Sequence, residues 1–345
     1  LYFTDSNTGM YAQDITLARH LADLQKLYAW PQRIITSTGK NAKEKILECI
    51  DLLNGALVMT ASVQTTDAEV LMNIKRKNVS LDTLTMAAIG NGAKHKSYSE
   101  VILGLPGDSY ELHMKTIADM ANCHMNEISV AQLMILPDTP MLSPEHYDRF
   151  KMKTKFRLLV KGFAKVRVGE KWLTAIEYEE ISVGTENMSF EDYLRCRYAD
   201  LLVNIFYNNV FSNEVFEYFS AHNLRVYDYI EKVVNHAMPP RLKDLFDQFL
   251  YDINSELFDT EQEITEFIDR PDTYERLQKE EIGRNPTFYY TLEARKLMRD
   301  LVEVAAQCAE EVGGPELAYL VVNQMQPAIK NRFGFAEGYK ELRPN

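Results

Sequence analysis

"SYSEVILGLPGDSYELHMKTI", residues 97–117, is the stretch on which the fold turns. It presents a short apolar strand, a turn of two glycines around Leu105 and Pro106, and an amphipathic helix. Gly104 and Gly107 permit positive φ and close backbone approach, Pro106 stiffens the turn, and Asp108 or Ser109 can cap the helix that follows. One such unit is common to many α/β domains. Its meaning depends on how many similar units surround it and on what stands at their strand ends.

Upstream, strand and helix signals alternate. A strand candidate at Leu1–Thr4 precedes a helix from about Tyr11 to Tyr28, in which Ile15, Leu17, Ala18, Leu21, Leu24 and Leu27 recur at helical spacing. "RIITS" (33–37) precedes a helix from about Ala42 to Leu53, and "GALVMTAS" (55–62) precedes helical stretches at Asp67–Lys77 and Ser80–Gly92. Downstream, a helix over Ser109–Asn122 leads to a fifth strand, "EISVAQL" (127–133). This alternation predicts βαβ crossovers and a parallel sheet or barrel. Polar and special residues gather just after the strands, at the edge where parallel α/β folds bind ligands.

From about Leu142 the pattern changes. Residues 145–161 read as helical, and "AKVRVGEKWLTAIEYEEISV" (164–183) has the period-2 character of a small hairpin around Gly169. From Met188 onward the chain is aromatic-rich and helical, with breaks near "HAMPPR", "DRPDT", "GRNPT" and "VGGPE". Its Tyr and Phe residues read as core, so this region is expected to be mostly helical with an aromatic core of its own.

Bulk properties narrow the function classes. A chain of 345 residues is long enough for roughly two domains without disulfide support. Its four cysteines, Cys49, Cys123, Cys196 and Cys308, form no CxxC or CxxxCxxC cluster, which argues against a metal or iron–sulfur site within the chain and favours a reduced, cytoplasmic protein. The net charge of −12 makes nucleic acid a poor first partner, and no apolar run approaches the roughly 20 residues needed to span a bilayer. "GLPGDS" lacks the Lys-Ser/Thr of a P-loop, although a helix start of this kind can cradle an anion. The chain opens without Met inside an apparent strand, so it is expected to be a fragment of a longer polypeptide.

"ASVQTTDAEVLMNIKRKNVSLDTL", "SEVILGLPGDSYELHMKTI" and "AQLMILPDTPM", in this order, resemble the middle strands of radical S-adenosylmethionine (SAM) enzymes, in particular the branch with an upstream cobalamin-binding domain. "TDSNTGMYAQDI" and "TSTGKN" are similar to that branch's second and third barrel strands with their loops, and "IEYEEISVGTENMSFEDYLRCRY" is similar more loosely. The resemblance implies an incomplete parallel (β/α) barrel over residues 1–141, a connecting segment at 142–188, and a helical C-terminal domain at 189–345. It implies SAM as cofactor, a [4Fe–4S] cluster held by a CxxxCxxC loop upstream of Leu1, cobalamin upstream, a small-molecule substrate, and a reductant protein of flavodoxin or ferredoxin type. The implied reaction is reductive SAM cleavage followed by methyl transfer or a radical rearrangement, with this chain inactive on its own.

The same resemblance assigns site residues. Ser62 and Gln64 match a polar pair on the ribose or methionine part of SAM, against the plainer reading of a helix-entry turn. Asp5 and Asn7 stand where the family often has a Gly-Gly-Glu loop for the methionine amino group; they depart from that pattern, and turn bonding to the backbone is the alternative. Arg76 matches a basic residue that reaches the SAM carboxylate, or else it complements a helix C-terminus. Gly104, Leu136 and Pro137 match backbone positions against adenine and ribose, and Lys40 is a weaker candidate for a substrate carboxylate or phosphate. Two other classes stay open at this point: a noncatalytic α/β binding or scaffold module, and an ordinary α/β enzyme acting on a phosphorylated metabolite. The second is disfavoured because none of the seven histidines stands at a strand end.

Overall fold

The computed structural model describes residues 1–5, 7–39, 43–57, 59–76, 97–139, 143–208 and 210–331. Its central feature is a parallel sheet of three strands in chain order, β1 (Met59–Gln64), β2 (Ser97–Leu103) and β3 (Glu127–Gln132). Two further segments continue it through parallel bridges, Tyr2 with Ile35, Thr8 with Thr38, and Ile34 with Leu57. The five strand positions read from the sequence therefore lie side by side in order, three of them in a continuous ladder. The second of the two helices expected after β1, Ser80–Gly92, lies outside the described residues.

The helices between strands form where capping and periodicity agree. In α1 (Ala12–Tyr28), the Asp14 carboxylate reaches back to the amides of Gly9 and Tyr11. Together with α2 (Lys43–Leu52) it encloses a compact cluster of Ala18, Leu21, Ile34, Ile46, Ile50 and Leu57. Asp67 caps α3 (Ala68–Asn73) through the Glu69 and Val70 amides, and Ser109 caps α4 (Tyr110–Asn122) through that of Leu112.

After β3, a short helix α5 (Pro144–Phe150) ends at Lys151 in left-handed backbone, and a long hairpin follows, β4 (Lys153–Val168) and β5 (Lys171–Gly184). The helical reading of residues 151–161 is corrected here. Phe156, Leu159 or Val160, and Phe163 recur at helical spacing, but Thr154, Phe156 and Leu158 also alternate with Lys153, Lys155 and Arg157, and pairing with β5 settles the competition. The hairpin is thus longer than the small one expected.

The C-terminal region is helical, from α6 (Phe190–Phe206) through α7 (Asn213–Ala221), α8 (Val226–Asn235), α9 (Pro240–Ser255), α10 (Glu261–Ile268), α11 (Thr273–Gln278) and α12 (Pro286–Arg295) to α13 (Met298–Asn331). The last is two helices joined at Gly314, whose φ of 78° is non-helical, so the expected break at "VGGPE" is a kink. The aromatic core is present, with Phe206, Tyr207, Phe219, Tyr229, Phe246 and Phe249 fully buried, but it does not belong to the helices alone. One cluster runs from Val63, Val101 and Ile128 of the sheet through α4 to Met325.

Polar contacts fix how the helices meet the sheet. Just beyond α6, the Asn208 side chain accepts from the Ile128 amide and donates to the Ile128 carbonyl, both at 2.8 Å, and so stands in for a neighbouring strand on the outer edge of β3. His113 of α4 and Asp200 of α6 meet at 2.8 Å, with 1% and 7% of their surfaces exposed. Burial opposes the charged imidazole, but the Asp200 carboxylate outweighs it and raises the His113 pKa above 6.5, with Asp108 adding to the effect and Arg197 opposing it.

Two expectations follow. Asn208→Leu leaves the Ile128 amide and carbonyl buried without partners and should cost about 2–4 kcal/mol in urea unfolding. A histidine whose pKa is raised on folding contributes stability that is complete below its unfolded value of about 6.5 and is lost as pH rises through the folded value. The stability gap between wild type and His113→Asn should therefore be widest near pH 6 and narrow toward pH 9; a gap that widens with pH would reverse the assignment.

Candidate functional site

Parallel strands bring their C-terminal ends to one edge, and register decides what each face presents. Ser99, Val101 and Leu103 of β2 are buried, with Val101 in the large core and Leu103 against Ile181, Val183 and Cys196. The other face alternates with them: Tyr98, Glu100 and Ile102 pair in register with Glu127, Ser129 and Ala131 of β3. This second face is polar and only partly covered. The Tyr98 hydroxyl lies 3.4 Å from Glu100 Oε1, and its pKa is pushed up by burial and by Glu100 and Glu127, with Ser129 opposing. None of these four residues was singled out from the sequence. The signal was there, in polar residues alternating through a run otherwise read as simply apolar.

Gln64 closes β1. The ladder shifts register between Ser62 and Gln64, Gln64 takes φ of 61°, and the chain turns at once into α3, with the Thr65 amide on the Val63 carbonyl. The Gln64 side chain is 5% exposed, and its Oε1 has no hydrogen-bond partner among the described residues. A buried amide oxygen in that state costs free energy until a donor arrives, and left-handed backbone at a non-glycine residue adds to the cost. Ser62 holds the register position opposite Glu100, and its side chain lies outside the described residues.

The Gly104–Ser109 loop is built differently from the expectation. Gly104 has φ of 84°, and a Cβ there would meet Ser182 Oγ at 3.0 Å, so the close approach it permits is to β5. Asp108, 2% exposed, accepts from the Gly104 and Ser109 amides and is pushed up to about 6, chiefly by burial. An anion cradle at this helix start is thus filled by the chain's own carboxylate. Thr185 Oγ1 donates to the Asp108 carbonyl, and Asn73 donates to that of Pro106 at 3.0 Å, which ties the hairpin and the end of α3 to the loop. Arg76, just beyond α3, has an exposed side chain.

The remaining candidates are more dispersed. Asp5 Oδ1 accepts from the Asn7 amide at 2.9 Å, the turn bonding weighed as its alternative role. Leu136 is exposed, and its carbonyl accepts from Thr139 Oγ1, which closes the turn that contains Pro137. Lys40 lies outside the described residues. The structure therefore brings Ser62, Gln64 and Gly104 to neighbouring strand ends, leaves Arg76 exposed beyond α3, and leaves Asp5, Asn7, Leu136 and Pro137 on flanking turns. The four cysteines are buried, Cys49 and Cys308 are pushed up to about 11 chiefly by burial, and among the described residues no group of three or more His, Cys, Asp or Glu could hold a metal ion. Among the same residues, no helix is long and apolar enough to cross a membrane.

No family model matches the chain. Over 162 residues, 45% of its length, it is 29% identical to the cobalamin-dependent radical SAM methyltransferase TokK of Streptomyces tokunonensis. Over a stretch of the same length it is 31% identical to the 2-(S-pantetheinyl)-carbapenam-3-carboxylate methyltransferase of Streptantibioticus cattleyicolor. The matched stretch makes up 23% of each relative, so the chain spans only part of the length of the curated proteins it matches. Somewhat less than half of the chain is therefore similar in sequence to methyltransferases, one of them a cobalamin-dependent radical SAM enzyme.

Proposed function

We propose that the chain is part of a cobalamin-dependent radical SAM methyltransferase that acts on a small molecule. In this reading residues 1–141 supply barrel strands to the SAM site, 142–188 the covering hairpin, and 189–345 the helical layer behind the sheet. One observation carries it: the buried, unpartnered Oε1 of Gln64 at a strand end. That oxygen is an acceptor, and the ribose hydroxyls and ammonium group of SAM are donors that fit it. Gly104, held by Asp108 and packed against Ser182, fixes the neighbouring strand end, and Leu136 and Pro137 flank the nucleoside. Tyr98, kept protonated by its raised pKa, remains a hydrogen-bond donor on the partly open face.

In this reading an iron–sulfur cluster would supply the electron for SAM cleavage and cobalamin would carry the methyl group; the separate buried thiols of this chain do not fit as cluster ligands, so residues outside it would hold these groups. On this reading the present chain alone binds SAM weakly and is inactive. In the parent protein loaded with its cluster, Gln64→Ala should weaken SAM binding by roughly ten- to a hundredfold, as expected for losing a hydrogen bond to a charged or buried group at about 1.5–3 kcal/mol. Isothermal titration measures it, and unchanged affinity removes Gln64 from the site.

A further inference from the structure

We infer that the cleft between the end of β3, the hairpin and the helical layer binds a small organic carboxylate. Gln132, Arg157, Tyr193, Arg197, Asp252 and Arg284 supply the polar wall of this small cleft, which opens to solvent. Gln132 pairs in register with Leu103, so it belongs to the helix-covered face of the sheet. The cleft is thus on the opposite face from Tyr98 and Glu100, and it stands independently of the SAM proposal.

Three guanidinium groups meet here, and two have counter-ions. Arg157 Nε donates to Glu179 Oε1 at 2.6 Å, and Arg284 Nη2 donates to Asp252 Oδ2 at 2.8 Å, where the Tyr290 hydroxyl also bonds. Arg197 differs. It is 3% exposed, one Nη2 reaches the Thr287 hydroxyl at 3.3 Å, and its Nε–H makes no hydrogen bond among the described residues. Asp200, one turn along its own helix, attracts Arg197 through space, but its hydrogen bond goes to His113 and not to the guanidinium. A guanidinium does not discharge at any ordinary pH, so Arg197 is a standing buried cation with an unused donor.

The rest of the lining selects the ligand. Glu256 takes the Gly283 amide at 2.9 Å, and burial raises its pKa, which lessens the negative charge it brings to the lining. One guanidinium with an open donor, partly balanced by Asp200, suits a monoanion better than a dianionic phosphate. Leu158, Ile253 and Leu257 complete the walls with apolar surface, which favours an organic body behind the anionic group. The planar fork of Arg197 then meets a carboxylate, with the Tyr193 hydroxyl and Gln132 beside it.

The test uses the whole chain and sodium hexanoate, with chloride and inorganic phosphate at matched ionic strength as controls, read by isothermal titration and by the thermal midpoint. Hexanoate should bind saturably and raise the midpoint while the two inorganic anions do neither. Arg197→Met should abolish that response. Gln132→Glu, a change of one atom that fixes a carboxylate inside the cleft, should weaken hexanoate at least tenfold, and it decides the question if Arg197→Met fails to fold. Hexanoate acting no differently from chloride, or binding Gln132→Glu as tightly as wild type, would overturn the site; phosphate binding as tightly as hexanoate would overturn the ligand class.

Discussion

A parallel sheet that stops at β3 leaves a row of backbone amides and carbonyls facing outward, and much of the molecule is arranged around that edge. An unpaired edge buried under helices costs free energy at every group, and left exposed it invites pairing with another chain. Two devices cover it. The Asn208 side chain serves Ile128 near the start of the strand, and beyond its end the Ser182 amide donates to the Leu133 carbonyl while the Ile135 amide donates to that of Glu180. The first anchors the end of α6 and the second anchors the hairpin. With both fixed, α6 must lie across α4, which brings Asp200 to His113, and the hairpin must lie beside Gln132, which brings Arg157 to it.

That arrangement divides the sheet into two chemical surfaces. One is sealed by the helices and is apolar at Val101, Leu103 and Ile128, with Gln132, Tyr193 and Arg197 meeting at its end. The other keeps Tyr98, Glu100, Glu127 and Ser129 within reach of solvent. The similarity to methyltransferases covers less than half of the chain, and it bears on methyl transfer as a general activity.

Local rules made much of this legible. The cap at Ser109 and the alternation of five strand candidates with helices follow from residues close in sequence, whereas Gln64 was marked only through the family resemblance. What the sequence hid depends on partners far away. Gly104 reads as a place for a ligand to approach, yet Ser182 occupies that approach; residues 151–161 carry two periods at once, and only the second hairpin strand selects between them. His113 and Asp200 are 87 positions apart, so nothing local marks either as half of a buried pair. The orphan oxygen of Gln64 was equally invisible, because the register shift before it and its left-handed backbone are set by the ladder with β2.

The cluster between α1 and α2 is separate from the core that unites the sheet with the helical layer. Within the described residues it joins the ladder only through isolated bridges at Ile34 and its neighbours, and Gln25 ties α1 to the Leu53 and Pro31 carbonyls inside its own unit. Cooperativity follows contiguous packing, so the first 57 residues are expected to open in hydrogen exchange as a unit of their own, at lower free energy than α4, α6 and β3. Thr8 and Thr38 would then lie on the more adjustable part of the sheet's C-terminal edge, while Gly104 and Gln132 ride on the part packed against the hairpin and the helical layer.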